Sequence, residues 1–140
     1  MKTLSIALFL LLYGQYAIAQ KVTRLFEIDA MAKNIDYLKS NTDSIVRNDI
    51  TYTFLHDSSQ QKLFKVIVKG ANDKPTQHYY FNNEQLFFIR GGGFYYFFDQ
   101  DFSTGSTWKN EEDLGMLQRE RQIATAYRLL LMYKRHQLNK

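Results

Sequence analysis

Between Tyr79 and Phe102 the chain reads YYFNNEQLFFIRGGGFYYFFDQDF, which places 11 aromatic residues in 24 positions. The whole 140-residue sequence has 22. A sheet with one wet side alternates apolar and polar residues along each strand. This stretch does not. Tyr79, Phe81, Leu86 and Phe88 make one apolar parity, and Tyr80, Phe87 and Ile89 make the other. Phe94, Tyr96 and Phe98 alternate with Tyr95 and Phe97. These strands therefore need cover on both faces, or they leave a surplus aromatic surface. A bare edge as apolar as Phe94–Phe98 would invite pairing with other chains.

Three covers are open to the surplus face. Residues 99–109 could fold back over it with Phe102 and Trp108, another protein or a copy of the same chain could cover it, or it could serve as a shallow ligand surface. Tyr presents an apolar ring and a hydroxyl together, which suits the last of these. Parity assigns Tyr80, Phe87, Tyr95 and Phe97 to this face, so these four are the candidate partner- or ligand-binding residues.

The strands preceding the aromatic stretch are more ordinary. Ile50–His56 alternates Ile50, Tyr52 and Phe54 with Thr51 and Thr53. In Lys62–Lys69, Phe64, Val66 and Val68 share a parity, while Lys65 and Lys69 interrupt the other. Period two with β-branched and aromatic residues predicts strands. Asp57–Gln61 and Gly70–Pro75 are the connecting turns. Within the aromatic hairpin, Asn83-Glu84 is expected as a two-residue loop, since Asn tolerates positive φ. That register sets Phe81 opposite Leu86, Tyr79 opposite Phe88, Tyr80 opposite Phe87 and His78 opposite Ile89. Gly91–Gly93 is a hinge into the fifth strand, Phe94–Phe98.

Helical periodicity brackets the strands. Over residues 24–39, Leu25, Ile28, Met31 or Ala32, Ile35 and Leu38 recur at spacings of three and four, with Thr23 as N-cap and Ser40–Asp43 as the terminating turn. A longer helix starts after Asn110, where Glu111, Glu112 and Asp113 favour a helix N-terminus. Its expected apolar stripe is Met116, Leu117, Ile123, Ala124, Tyr127, Leu130 and Leu131. The expected architecture is α+β: an N-terminal helix, a four- to five-stranded antiparallel meander sheet and a long C-terminal helix. Both helices are expected in one layer on one face.

Residues 1–19 read as an export signal. Lys2 precedes an apolar run, Leu4–Leu12, and Ala17-Ile18-Ala19 supplies a small-x-small cleavage pattern. Residues 20–140 then form one α+β domain, periplasmic or extracellular, with no stable membrane anchor after cleavage. No cysteine is present, which removes disulfides, thiolate metal sites and cysteine nucleophiles. Without Lys2 the chain carries 17 Lys and Arg against 14 Asp and Glu. That mild excess does not point to nucleic acid.

Catalytic signals are sparse. No GxSxG, HExxH or phosphate-binding loop occurs, and no cofactor is expected. Gly91–Gly93 precedes a strand, so it lacks the helix N-terminus that holds a phosphate. His56 and His78 could approach each other in the sheet, but neither has further ligands at metal spacing. Asp99–Gly105 alternates oxygen-bearing side chains, yet its glycine is seventh and its twelfth residue is Asn110, which breaks the register of a calcium loop. Arg121, Arg128 and Arg135 lie seven apart along the last helix; this is a stripe for an acidic partner or lipid head groups or, more simply, the solvated margin of the core.

The helix–meander–helix order and the hairpin HYYFNNEQLFFI (His78–Ile89) resemble small exported bacterial α+β domains of the PepSY-like and beta-lactamase-inhibitor-protein-like kinds, over residues 45–100. The resemblance implies an exported non-enzymatic module, and no functional residue follows from it. Two functions compete. One is a binding or interaction module, using the aromatic face toward an unknown protein or small ligand. The other is a small ligand-processing enzyme pairing His78 with Asp99 or Glu84 in a pocket of a cone-shaped fold.

Overall fold

A computed structural model describes residues 26–59, 61–71, 74–92, 94–98, 105–107 and 116–140, with backbone alone for 94, 95, 97, 105–107 and 116. Helix α1 covers residues 26–37. Seven strands follow: β1 (Asn41–Arg47), β2 (Ile50–His56), β3 (Leu63–Lys69), β4 (Gln77–Asn82), β5 (Gln85–Gly91), β6 (Phe94–Phe98) and β7 (Gly105–Thr107). Helix α2, Met116–Leu138, ends the fold. The strands form one antiparallel sheet in sequence order, so every connection is a hairpin. The chain is thus α+β with a meander sheet. The five expected strands are β2–β6, and the sheet gains one strand at each edge.

The extra strand β1 begins in residues expected as a turn, Asn41-Thr42-Asp43. It pairs with β2 along its whole length because the real reversal lies at Asn48-Asp49, where φ is 49° and 61°. Asn83-Glu84 repeats this geometry, at 49° and 65°, as the two-residue loop expected there. Two consecutive positive φ values give a turn whose twist matches the flanking strands, and Asn and Asp adopt them most readily among residues with a side chain. Gly91 has a different constraint: a Cβ there would lie 2.5 Å from the Thr76 carbonyl oxygen. The β4–β5 ladder closes that tightly only around glycine.

The two helices lie on opposite faces of the sheet, which corrects the single helical layer expected from the sequence. Tyr79 and Tyr80 are neighbours in β4 and therefore point to opposite sides. Tyr79 packs in a core with Phe54, Val66, Phe81, Leu86, Ile89 and Phe98 against Ala126, Leu129, Leu130 and Tyr133 of α2. Tyr80 packs with Phe87 and Phe88 against Ile28 and Ala32 of α1. The two-sided aromatic strands are thus the middle of an α–β–α sandwich. The signal sequence, the Thr23 cap, Phe102 and Trp108, the Asp99–Gly105 oxygens and the acidic start at Asn110 lie outside the residues described above.

A β-bulge decides which aromatics go to which helix. The ladder runs Phe81↔Leu86 and then Tyr80↔Phe88, so Phe87 is the extra residue. Beyond it every pair is shifted by one from the expected register: Tyr79 faces Ile89, and His78 faces Arg90. Phe88 consequently belongs to the α1 face and Ile89 to the α2 face, the reverse of simple alternation. A bulge adds one residue to one strand and so changes parity downstream.

The α2 stripe also differs from expectation. Ala126, Leu129, Leu130 and Tyr133 are its buried residues, joined by half-buried Ile123 and Met132. Leu117, Tyr127 and Leu131, expected in the core, are exposed by 62%, 60% and 53%. Both stripes have helical spacing, and the sheet takes the one centred on Ala126 and Leu129.

Candidate functional site

The surplus aromatic face is not an open surface where it is described. Tyr80 is fully buried and Phe87 is 8% exposed. Among the described residues the cover is α1, through Ile28 and Ala32. Tyr95 and Phe97 sit opposite Arg90 and Phe88 in the β5–β6 ladder, which places them at register positions on the same face; their side chains lie outside the described residues.

Under α1 lies a charged cluster that the aromatic pattern did not suggest. Lys65 of β3 is 5% exposed. Its Nζ donates to Asp36 Oδ1 of α1 at 2.5 Å. The Tyr80 hydroxyl donates to the same carboxylate at 3.1 Å, and Arg90 Nη2 donates to Oδ2 at 3.0 Å. Lys65 and Arg90 also flank the Tyr80 ring at 4.8 and 5.8 Å, within cation–π range. Burial opposes the charge on Asp36, but the Lys65 hydrogen bond and the charges of Lys65 and Arg90 outweigh it, so the carboxyl titrates below its ordinary range. Asp36 neutralises one of two cations and fixes the C-terminal end of α1 to the sheet.

His78 belongs to this face and stacks on Tyr80. Burial, and then the positive charges of Lys65 and Arg90, push its imidazole down to about 4. The ring is neutral near pH 7 and a weak base there. Glu84, one of its two expected acid partners, lies six residues away at the far end of β4–β5 and pairs with Lys134 of α2 at 2.9 Å. The His78–Glu84 pair required by the enzymatic alternative is therefore not assembled. Asp99 lies outside the described residues.

His56 lies on the other face, so the two sheet histidines do not approach each other. It is 1% exposed and ring-packed against Tyr133. Its Nε2 is 3.0 Å from Asp43 Oδ2 and its Nδ1 is 2.6 Å from the Asp57 carbonyl. Both ring nitrogens are thereby engaged in structural bonds. Asp43 also accepts from Gln137 Nε2 at 2.9 Å and Lys140 Nζ at 2.5 Å, which ties β1 to the end of α2. The Lys140 hydrogen bond leads the effects that lower the Asp43 carboxyl to about 2.

This has a testable consequence. A carboxyl whose folded pKa is depressed stabilises the fold above its unfolded value and loses that contribution as pH falls through the folded one. The window here is about pH 4 down to about pH 2, and solvent screening at this partly exposed site reduces the effect to about 1 kcal/mol. Urea titrations across that window should show the parent protein losing about 1 kcal/mol more stability than Asp43→Asn.

Concave surface is found beside α2. Two shallow grooves of about 320 Å³ each flank the Glu84–Lys134 ion pair. The first lies between Phe81–Leu86 of the hairpin and Ile123, Tyr127 and Leu130 of α2. The second lies between Gln61 and Leu63 and residues Leu130, Lys134 and Leu138 of α2. The exposed side of α2 adjoins them. Leu117, Tyr127, Leu131 and Leu138 stand 53–85% exposed there, along about 31 Å of helix at 1.5 Å per residue. Among the described residues no three His, Asp or Glu side chains are grouped to hold a metal, and no helix is long and apolar enough to cross a membrane.

No known family model, curated protein or solved structure matches this chain.

Proposed function

We propose that the protein is an exported, non-enzymatic interaction module, and that its interaction surface is the outer side of α2 with the adjoining grooves. The export assignment rests on the first nineteen residues, and the reading as a module accords with the helix–meander–helix order of small exported domains. One observation carries the choice of surface. Four large apolar side chains stand exposed on a single line of α2 while the sheet core is already filled by another line of the same helix. Scattered surface leucines need no explanation, but an apolar row at seven-residue spacing beside a concave groove, broken here by Glu120 and Lys134, is a form that helix-in-groove partners recognise. Against catalysis, His78 lacks its Glu84 partner, and both nitrogens of His56 hold structural bonds.

A neutral amphipathic peptide, Leu at heptad a and d positions and Gln elsewhere, tests this reading. Saturable binding in fluorescence anisotropy is the expected result, weakened at least tenfold by Leu131→Asp with the melting temperature unchanged. Absence of binding, or equal binding to the variant, would contradict it.

A further inference from the structure

The exposed row on α2 has the spacing of a coiled-coil seam. Leu117, Ala124, Leu131 and Leu138 are seven apart at the a positions, and of the three d positions between them Tyr127 is apolar while Glu120 and Lys134 are charged. A seam this narrow fits one further helix better than a broad surface. The grooves lie on the side of the seam that holds Ile123 and Leu130. The opposite flank, heptad position e, is Arg121, Arg128 and Arg135, all exposed. Among the described residues no acidic side chain pairs with these three, whereas Lys134 of the same helix and Lys140, just beyond its end, pair with Glu84 and Asp43.

We infer that the module's partner is an acidic amphipathic helix, apolar at its a and d positions, with Glu or Asp at the flanking position that meets the three arginines. This rests on the surface proposed above and adds its charge specificity. A second copy of α2 does not meet the requirement. In an antiparallel pair arginine would face arginine, and in a parallel pair the arginines would face Ile123, Leu130 and Gln137, none of them acidic. A flat anionic membrane is disfavoured by the concave grooves and by exposed Glu84 at their rim.

The test uses the mature chain, the neutral heptad peptide and two versions carrying Glu or Lys at the flanking positions. The acidic peptide should bind at least tenfold more tightly than the neutral one and the basic peptide more weakly. The acidic advantage should vanish in 0.5 M salt and in the triple variant R121Q/R128Q/R135Q, whose melting temperature should match the parent's. Equal affinity for all three peptides would overturn the charge specificity and leave the surface standing. No binding of any peptide would overturn the surface as well. Binding to phosphatidylglycerol vesicles but not to the acidic peptide, or self-association in sedimentation at micromolar concentration, would overturn the proposed partner.

Discussion

Asp36→Ala destabilises the fold by about 3 kcal/mol in urea denaturation, far more than loss of a surface ion pair, because it leaves Lys65 buried without a counter-charge. The Lys65 side chain is 6% exposed and that of Asp36 23%, so the low end of the range for breaking a buried pair applies. The Tyr80 hydroxyl loses its acceptor in the same step, and Arg90 is left beside Lys65 with no anion between them. The double variant Asp36→Ala, Lys65→Met recovers most of the loss, since an apolar side chain of similar length fills the space against Tyr80 without requiring an anion. If Asp36→Ala cost under 0.5 kcal/mol, α1 would not be clamped to the sheet by this cluster.

Phe88→Ala costs about 3–4 kcal/mol, the range for truncating a buried aromatic. Phe88 is 2% exposed and packs at 5.5 Å against the Tyr80 ring, under Ile28 and Ala32 of α1. Its loss opens a cavity between sheet and helix, and α1 has few other buried contacts with which to close it. The matching control is Leu131→Ala on α2. A reading of the sequence places Leu131 in the core, but it is 53% exposed, and its truncation should change stability by no more than about 0.5 kcal/mol. Thermal or urea melts of the two variants, side by side, check both statements.

The elements themselves were readable from the residues. Alternation marks β2 and β3, short aromatic and apolar runs between turn residues mark β4–β6, and three-and-four spacing marks both helices. Asn83-Glu84 was readable as a turn for the same local reason that Asn48-Asp49 should have been: both pairs hold positive φ. Read the second way, Asn48-Asp49 would have revealed β1. Two things were not legible. The bulge at Phe87 changes parity without a marker such as Gly or Pro, so Phe88 and Ile89 exchanged faces. The placement of the helices is a tertiary choice, since either face of β4–β5 is apolar enough to receive one.

The aromatic surplus contained the answer nonetheless. A sheet apolar on both sides calls for two helical layers, and two helices were available. With both parities in the core, Tyr80 and Phe87 are buried, and exposed apolar side chains stand on the helices' outer sides. There α2 carries two apolar stripes, and periodicity alone does not say which one the sheet selects. Lys65 was the other available signal: a cation in the middle of a strand calls for an acid once that face is covered, and Asp36 on the covering helix supplies it.

Strands β4 and β5 are interior on both faces, and the outer side of α2 is the surface proposed for a partner. Titrating the isotope-labelled protein with the acidic heptad peptide and following backbone and side-chain NMR shifts tests both statements. Perturbations should centre on Tyr127, Leu131 and Leu138, with Tyr80 and Phe87 unmoved. Perturbations centred on Tyr80 and Phe87, with the outer side of α2 unchanged, would contradict both.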